Sequence, residues 1–262
     1  TKELQNPILK KFKRRNVRTS FPNDIWSGDL LDVSKFEKEN KHIKFLLVVI
    51  DVYSRYAYVR PLKNKSSDSV LEAFKDISVT PDNLWVDEGK EFYNGNFKKY
   101  CKVHAINMYH TNSGLKSVYA ERFNRTLRSL LFRYVSENET NKYINALQDI
   151  VKEYNDTMNK STGMTPNEIY INKKIVENKN EIPEEEPTFK IGDYVRISNV
   201  KQIFEKDYTP KWSFEVFKIT CIDDKQYPIM YRIEDLKGES IIGKFYKQEL
   251  QKTDLKDFRQ YL

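Results

Sequence analysis

Phe45-Leu46-Leu47-Val48-Val49-Ile50 is the longest apolar stretch of the chain. It has the length of a buried strand and is rich in the β-branched residues that suit a pleated surface. It lies within residues 43–52, and two further strand-like runs flank it, residues 25–33 and 56–62. A polar turn, Lys38-Glu39-Asn40-Lys41, separates the first pair and Ser54-Arg55 the second, so the three runs predict an antiparallel meander. Ser66-Ser67-Asp68 can then cap a helix carrying Val70, Leu71, Phe74 and Ile77 at helical spacing, with Pro81 enforcing its end. Leu84-Trp85-Val86 reads as a short strand, residues 94–103 as a second helix and 105–109 as a fifth strand. Strands and helices in alternation predict an α/β fold around a mixed five-stranded sheet.

Past the loop Thr111-Asn112-Ser113-Gly114, a long helix is predicted over about residues 116–135. Phe123, Leu127, Leu130 and Tyr134 form its apolar stripe, while Glu121, Arg125 and Arg128 recur at i, i+4 and i+7 on another face. A further helix carries Tyr143, Leu147, Ile150, Val151 and Tyr154, and a short one starts near Thr165-Pro166, where proline suits the first turn. Residues 172–187 change character: Asn, Lys and Glu dominate, and Pro183 and Pro187 bracket Glu184-Glu185-Glu186. Beyond this linker, residues 189–197, 215–222, 230–233 and 241–246 read as short strands between Pro, Gly and acidic turns, the pattern of a small barrel of about five strands. The expected organisation is a basic arm over 1–20, a core over 21–171, an acidic linker over 172–187, a small β-barrel over 188–252 and a tail over 253–262.

The 262 residues suffice for one large domain or a core plus a small module, and 39% hydrophobic with 13% aromatic residues supplies a core. With 32% charged residues and no long uncharged apolar run, a membrane span is not expected. The net charge of +7 is concentrated in residues 1–20, where Lys2, Lys10, Lys11, Lys13, Arg14, Arg15 and Arg18 face the single acid Glu3. Such an arm suits a polyanion such as DNA; a solvated tail or a localisation signal is the plainer reading. Cys101 and Cys221 are too far apart in the chain for a local metal knuckle, and free thiols in an intracellular protein are the expectation. The chain does not open on Met, so a piece of something longer is expected.

Three carboxylates stand in contexts that can serve a shared metal site. Asp29 follows Trp26-Ser27-Gly28 on a strand, Asp87 follows Leu84-Trp85-Val86 at a strand end, and Glu121 opens Glu121-Arg122-Phe123-Asn124-Arg125 on a helix. Phosphodiester transfer needs an activated oxygen nucleophile and stabilisation of charge on the phosphate and leaving oxygen. Two Mg²⁺ or Mn²⁺ ions about 3.5–4 Å apart can supply all of these, and hard cations take oxygen ligands. Each acid also has a plain reading: Asp29 an edge-strand surface acid, Asp87 part of a strand-end turn, Glu121 an exposed helix acid paired with Arg125. Asp32 is a rival ligand, but odd spacing along a strand sends it to the face opposite Asp29. Asn124, Arg125 and Arg128 are placed to hold phosphates, as are the loop residues Lys116, Ser117 and Asn112, with a solvated face as the alternative. His42, His104 and His110 lack metal-ligand spacing, and no zinc is expected. Trp212, Phe214, Phe217, Phe245 and Tyr246 are read as barrel core, with an aromatic cage for methylated lysine or a DNA face as the sharper alternative.

On these residues, the chain resembles the retroviral and retrotransposon integrase superfamily over about residues 21–171. The most specific element is Ala120-Glu121-Arg122-Phe123-Asn124-Arg125-Thr126-Leu127, supported by Trp26 ahead of Asp29 and by Val86-Asp87-Glu88-Gly89-Lys90-Glu91-Phe92. Within that superfamily it is most similar to integrases of Maverick (Polinton) DNA transposons and virophages. That narrower likeness rests on Phe189-Lys190-Ile191-Gly192-Asp193, Trp212-Ser213-Phe214-Glu215-Val216-Phe217 and Gly243-Lys244-Phe245-Tyr246; an integrase of a long-terminal-repeat retrotransposon is the other reading. The resemblance implies a ribonuclease-H-like core with a mixed five-stranded sheet, and a C-terminal all-β barrel of Src-homology-3-like or chromo-like form. It implies Asp29, Asp87 and Glu121 as catalytic and metal ligands for two Mg²⁺ or Mn²⁺ ions, with Asn124, Arg125 and Arg128 facing DNA. The activity implied is a polynucleotidyl transferase of a mobile element, which processes 3′ ends and joins them to target DNA. Its implied partners are element-end and target DNA and further copies of the chain, with a chromatin contact through the barrel, in an intracellular, nuclear setting. The alternatives are a non-catalytic DNA- or chromatin-binding relative and a plain ribonuclease-H-like nuclease. Two features depart from the pattern: the 33 residues between Asp87 and Glu121 are fewer than is typical of retroviral members, and no His/Cys zinc module is present in the sequence.

Overall fold

The computed structural model describes residues 3–9, 11–15, 17–110, 118–174, 185–199 and 210–254. They group into two compact units, Arg18–Asn178 and, separately, Thr1–Val17 together with Lys179–Leu262.

In the first unit, β1 (Ile25–Asp32), β2 (Phe45–Asp51) and β3 (Ala57–Leu62) form the expected antiparallel meander. β4 (Asn83–Trp85) pairs parallel to β1, and β5 (Asn107–Tyr109) parallel to β4, giving the order β3-β2-β1-β4-β5. The unbroken apolar run of β2 follows from burial of both faces. Strand alternation sends Leu46, Val48 and Ile50 to one core with Phe123 and Leu127, and Leu47 and Val49 to the other with Val70, Phe74 and Phe97. The first core is covered by α3 (Val118–Glu137) and α4 (Leu147–Asp156), the second by α1 (Ser67–Lys75) and α2 (Gly95–Val103).

Helix starts obey local chemistry. Ser66 caps α1 by accepting from Ser69 N, and Asn94 caps α2 by accepting from Phe97 N. At α5 (Pro166–Tyr170), Thr165 and Glu168 form a reciprocal capping box with Pro166 in the first turn. On α3 the fully buried stripe is Ala120, Phe123, Leu127 and Leu131, while the predicted Leu130 and Tyr134 are only partly buried against it.

One expected helical residue lies elsewhere. Tyr143 precedes α4, and the reason is Asn40, assigned by sequence to a polar turn but fully buried. The Asn40 Nδ2 donates to Phe36 O (2.7 Å) and Asn141 O (2.8 Å), and its Oδ1 accepts from Tyr143 N (2.8 Å) and Ile144 N (3.0 Å). A side-chain amide thus supplies the bonds that a helical turn would have made there.

The second unit holds an antiparallel sheet of order β10-β6-β7-β8-β9, built from β6 (Tyr194–Ile197), β7 (Phe217–Asp223), β8 (Met230–Glu234), β9 (Phe245–Tyr246) and β10 (Leu250–Lys252). Its core is Phe189, Val195, Phe217, Ile219, Ile229, Tyr231, Ile233 and Leu250. The strand predicted over 189–197 shortens to β6 because a turn precedes it: Gly192 sits at φ +93°, and Asp193 Oδ2 accepts from Lys190 N.

The basic arm departs from expectation most. Within residues 3–9 and 11–15 it contacts the barrel through Leu4, Phe12 and Arg15, while Leu9, Lys11, Lys13 and Arg14 stay exposed. Leu4 is buried, its carbonyl accepts from Lys211 N and Trp212 N, and Trp212 Nε1 donates to Asn6 O. Glu3 accepts from Thr253 and faces the buried Arg196 at 3.7 Å. Arg15 donates through Nε to Pro228 O (2.7 Å) and through its terminal nitrogens to Asp223 Oδ2 (2.9 Å), Asp223 O (2.6 Å) and Gln226 O (2.8 Å). Lys2 and Lys10 lie outside the described residues. Cys101 and Cys221 are free, and among the described residues no helix is long and apolar enough to cross a membrane.

Candidate active site

Strand register brings the two aspartates to one level. Ser27 of β1 pairs in parallel with Trp85 of β4, and Asp29 and Asp87 each lie two residues further on. Leu84 and Val86 belong to the core under α1 and α2, so by alternation Trp85 belongs to the α3 face; the Trp85 ring packs 6.4 Å from that of Tyr119. Ser27 faces the same way, accepting from Ala120 N at 3.2 Å. Two residues along, Asp29 Oδ2 accepts from Asn124 Nδ2 at 2.7 Å, and its Oδ1 accepts from Leu30 N at 2.8 Å. Glu121 stands three residues before Asn124, so the helix face that meets Asp29 also carries Glu121.

A Cβ at Gly28 would lie 3.0 Å from Val86 Cγ1, so a side chain at position 28 would press on Val86, next to Asp87. After Asp87, Phe92 N and Tyr93 N both bond back to Gly89 O, and the loop is held further by His110, whose Nε2 meets Glu88 Oε1 at 2.6 Å and whose Nδ1 meets Tyr93 OH at 2.9 Å. Sequence reading did not single out Ser27, Glu88 or Tyr93 and took His110 as structural. Only the strand register and the packing of α3 show what they touch.

Asp29 therefore lies on the sheet face that α3 covers, Glu121 is carried by α3, and Asp87 follows two residues after Trp85 of β4. Their carboxylates do not close into the expected cluster: among the described residues no group of three or more His, Cys, Asp or Glu is arranged to hold a metal ion. Fit to a hard divalent cation is judged on two other observations. All three side chains offer oxygen only, and Asn124 Oδ1, beside the Asp29 carboxylate, is buried with no hydrogen-bond partner among the described residues. An acceptor left over next to a carboxylate suits a cation with its bound water, so the donor set fits. Asp32 stays apart: it is exposed, and bonds from Ser34 hold its carboxyl below the usual range. Arg125 and Arg128 are exposed on α3, whereas Lys116, Ser117 and Asn112 lie outside the described residues.

A second polar cluster closes the β2 end of the sheet. Asp51 is fully buried and accepts from Asn23 N, Ser54 N and Ser54 Oγ; burial pushes its carboxyl above the ordinary range. Arg55 lies over the Tyr119 ring at 4.5 Å, tying the β2–β3 turn to the first turn of α3. In the second unit Trp212, Phe217 and Tyr246 are buried and Phe245 packs on the core, leaving only Phe214 of the five aromatics exposed. Phe217 and Phe245 belong to the barrel core, as the plainer reading had it, whereas Trp212 and Tyr246 are buried outside that cluster.

Comparison with known proteins agrees with this geometry. Residues 20–115 match the integrase core domain family. An uncharacterised transposon-derived protein of Caenorhabditis elegans is 34% identical over 189 residues, covering 71% of this chain and 65% of its own length, so the match spans slightly less than two thirds of that relative. Among solved structures, the integrase catalytic core domain of HTLV-2, in complex with magnesium, superposes with a TM-score of 0.50 at 25% identity, covering 58% of this chain and 99% of that one. An integrase-complex structure, the intasome of simian T-cell lymphotropic virus, gives a TM-score of 0.66 over 96% of this chain and 86% of that chain; at 18% identity it speaks to the fold alone. The fold and site thus define a ribonuclease-H-like integrase core followed by a small all-β domain. Over its core the chain is similar to the integrase superfamily.

Proposed function

We propose that this protein is a divalent-metal-dependent DNA integrase of transposon descent, which trims the ends of a mobile element and joins their 3′-hydroxyls to target DNA. The observation that supports the reading is the Asn124–Asp29 bond, which sets Asp29 against the helix that carries Glu121, together with the register that brings the chain to Asp87 two residues past Trp85. The transposon-derived relative supports the descent, the Maverick-type placement being its narrower form.

In this reading Asp29, Asp87 and Glu121 hold Mg²⁺ or Mn²⁺. The bound metal would supply activation of the attacking oxygen and stabilisation of charge on the phosphate and leaving group. The chain's own residues do the rest. Asn124 keeps the Asp29 carboxylate oriented. Arg125 and Arg128, one and two turns along α3, hold the phosphate backbone beside the reacting bond, with Lys116 and Ser117 in the preceding loop assigned the same task. Alignment of nucleophile and phosphate comes from these contacts, with no covalent link to the protein. Two DNA ends must be joined in concert, so at least two copies are required on DNA.

A second reading, a DNA-binding relative without chemistry, is favoured by one observation, the lack of a metal-ready acid group among the described residues. Incubation with labelled duplex ends and Mn²⁺ separates the readings. Joined products are expected; cut products alone indicate a nuclease, and a gel shift without products indicates the binder.

A further inference from the structure

Asn124 has the sequence position of a DNA contact on the Glu121 face of α3, yet its side chain is turned toward the protein. Its Nδ2 donates to Asp29 Oδ2 at 2.7 Å. The orientation of the amide is dictated by chemistry, because an ionised carboxylate only accepts, and a reversed amide would set oxygen against oxygen. The second Asp29 oxygen is held by Leu30 N at 2.8 Å, so both oxygens of this carboxylate are fixed by donors from the chain. The amide bond also reaches across 95 positions of sequence, joining the middle of β1 to the helix that presents Glu121. On its other side, Asn124 Oδ1 is buried and has no partner among the described residues. A buried acceptor without a protein partner calls for a donor from a water, an ion's hydration shell or a ligand.

We infer that Asn124 is a positioning residue. Its Nδ2 sets the Asp29 carboxylate and links it to the Glu121 helix, while its Oδ1 waits for an O–H donor that arrives with the ligand. The inference rests on the metal-dependent reading above. Outer partners of this kind change metal affinity about 10- to 100-fold when removed. A DNA contact would instead change DNA affinity and its salt dependence.

The test is Mn²⁺ binding by electron paramagnetic resonance on the full 262-residue chain without DNA, for the unsubstituted protein, Asn124→Ala, Asn124→Gln and Glu121→Gln. Alanine is the best helix former, so Asn124→Ala should keep α3 folded, and its melting temperature is recorded to verify this. Weakening of Mn²⁺ binding by about tenfold in Asn124→Ala is expected. Asn124→Gln should restore part of it, since its amide can still reach a carboxylate, and DNA affinity in metal-free buffer should stay unchanged. In the background of Asp29→Asn, Asn124→Ala should cost little more, because the two act through one carboxylate. Unchanged Mn²⁺ affinity in Asn124→Ala, with binding still weakened by Glu121→Gln, would overturn the positioning role alone. If the unsubstituted protein binds no Mn²⁺ that Glu121→Gln weakens, the metal reading fails and the inference falls with it.

Discussion

Replacing Arg15 by methionine should unfold the barrel unit at much lower temperature while leaving the core unit in place. The Arg15 guanidinium makes four hydrogen bonds, one to the Asp223 carboxylate and three to backbone carbonyls of residues 223, 226 and 228. Arg15 and Asp223 side chains are only 14% and 17% exposed. Charge-assisted bonds contribute about 1.5–3 kcal/mol each, but they share one side chain and are not additive. Breaking a buried pair costs about 3–5 kcal/mol, and Lys244, which also bonds Asp223, remains to neutralise it. A loss of about 3 kcal/mol is therefore expected, equivalent to roughly 12–24 °C in a unit of this size. Calorimetry on the full chain should show the barrel transition moving by that amount and the core transition staying. The pH dependence supplies an internal check. Bonds from Arg15 and Lys244 pull the Asp223 carboxyl down to about 2. A depressed carboxylate stabilises the fold above its unfolded value near 4, and that stability is lost as pH falls from about 4 to 2. Arg15→Met should reduce this acid-sensitive part. A shift of less than about 1 kcal/mol, combined with a weaker salt dependence of DNA binding, would refute the clasp and return Arg15 to a phosphate-binding tail.

Two further substitutions test the architecture of the core. Asn40→Ala leaves two buried N–H groups and two carbonyls without partners, and should cost about 4 kcal/mol in chemical denaturation; a cost below about 1 kcal/mol would show that water replaces the amide. Gly28→Ala sets a methyl 3.0 Å from Val86 Cγ1 and should cost about 1–3 kcal/mol, while strand-transfer rates fall further than stability explains, because β1 and the segment after β4 carry Asp29 and Asp87. Unaltered transfer kinetics in the folded Gly28→Ala protein would detach strand spacing from the chemistry.

Much of the core was legible because its determinants are local or periodic. The Phe45–Ile50 run announces a strand buried on both faces, and the caps Ser66, Asn94 and Thr165 each stand within three residues of the N–H groups they satisfy. What escaped notice depends on partners remote in sequence. Asn40 looks like a turn residue until Tyr143 and Ile144, 103 and 104 positions away, are set beside it. Arg15 looks like one more cation in a basic tail until Asp223 is found 208 positions on. The arm's one acid, Glu3, and its apolar Leu4 were the available hints of docking, outweighed by seven positive charges. Asn124 is assigned to DNA from its place beyond Glu121, whereas its side chain donates to Asp29 on β1, a partner 95 positions away in sequence.

The central claim is that Asp29, Asp87 and Glu121 become one cation site. Anomalous diffraction from crystals of the full chain grown with Mn²⁺ addresses it directly. The account predicts a manganese peak bounded by oxygens of all three side chains, lost in Glu121→Gln. Manganese found only elsewhere, or none near Asp29 at saturating concentration, would contradict it and favour a DNA-binding protein without chemistry.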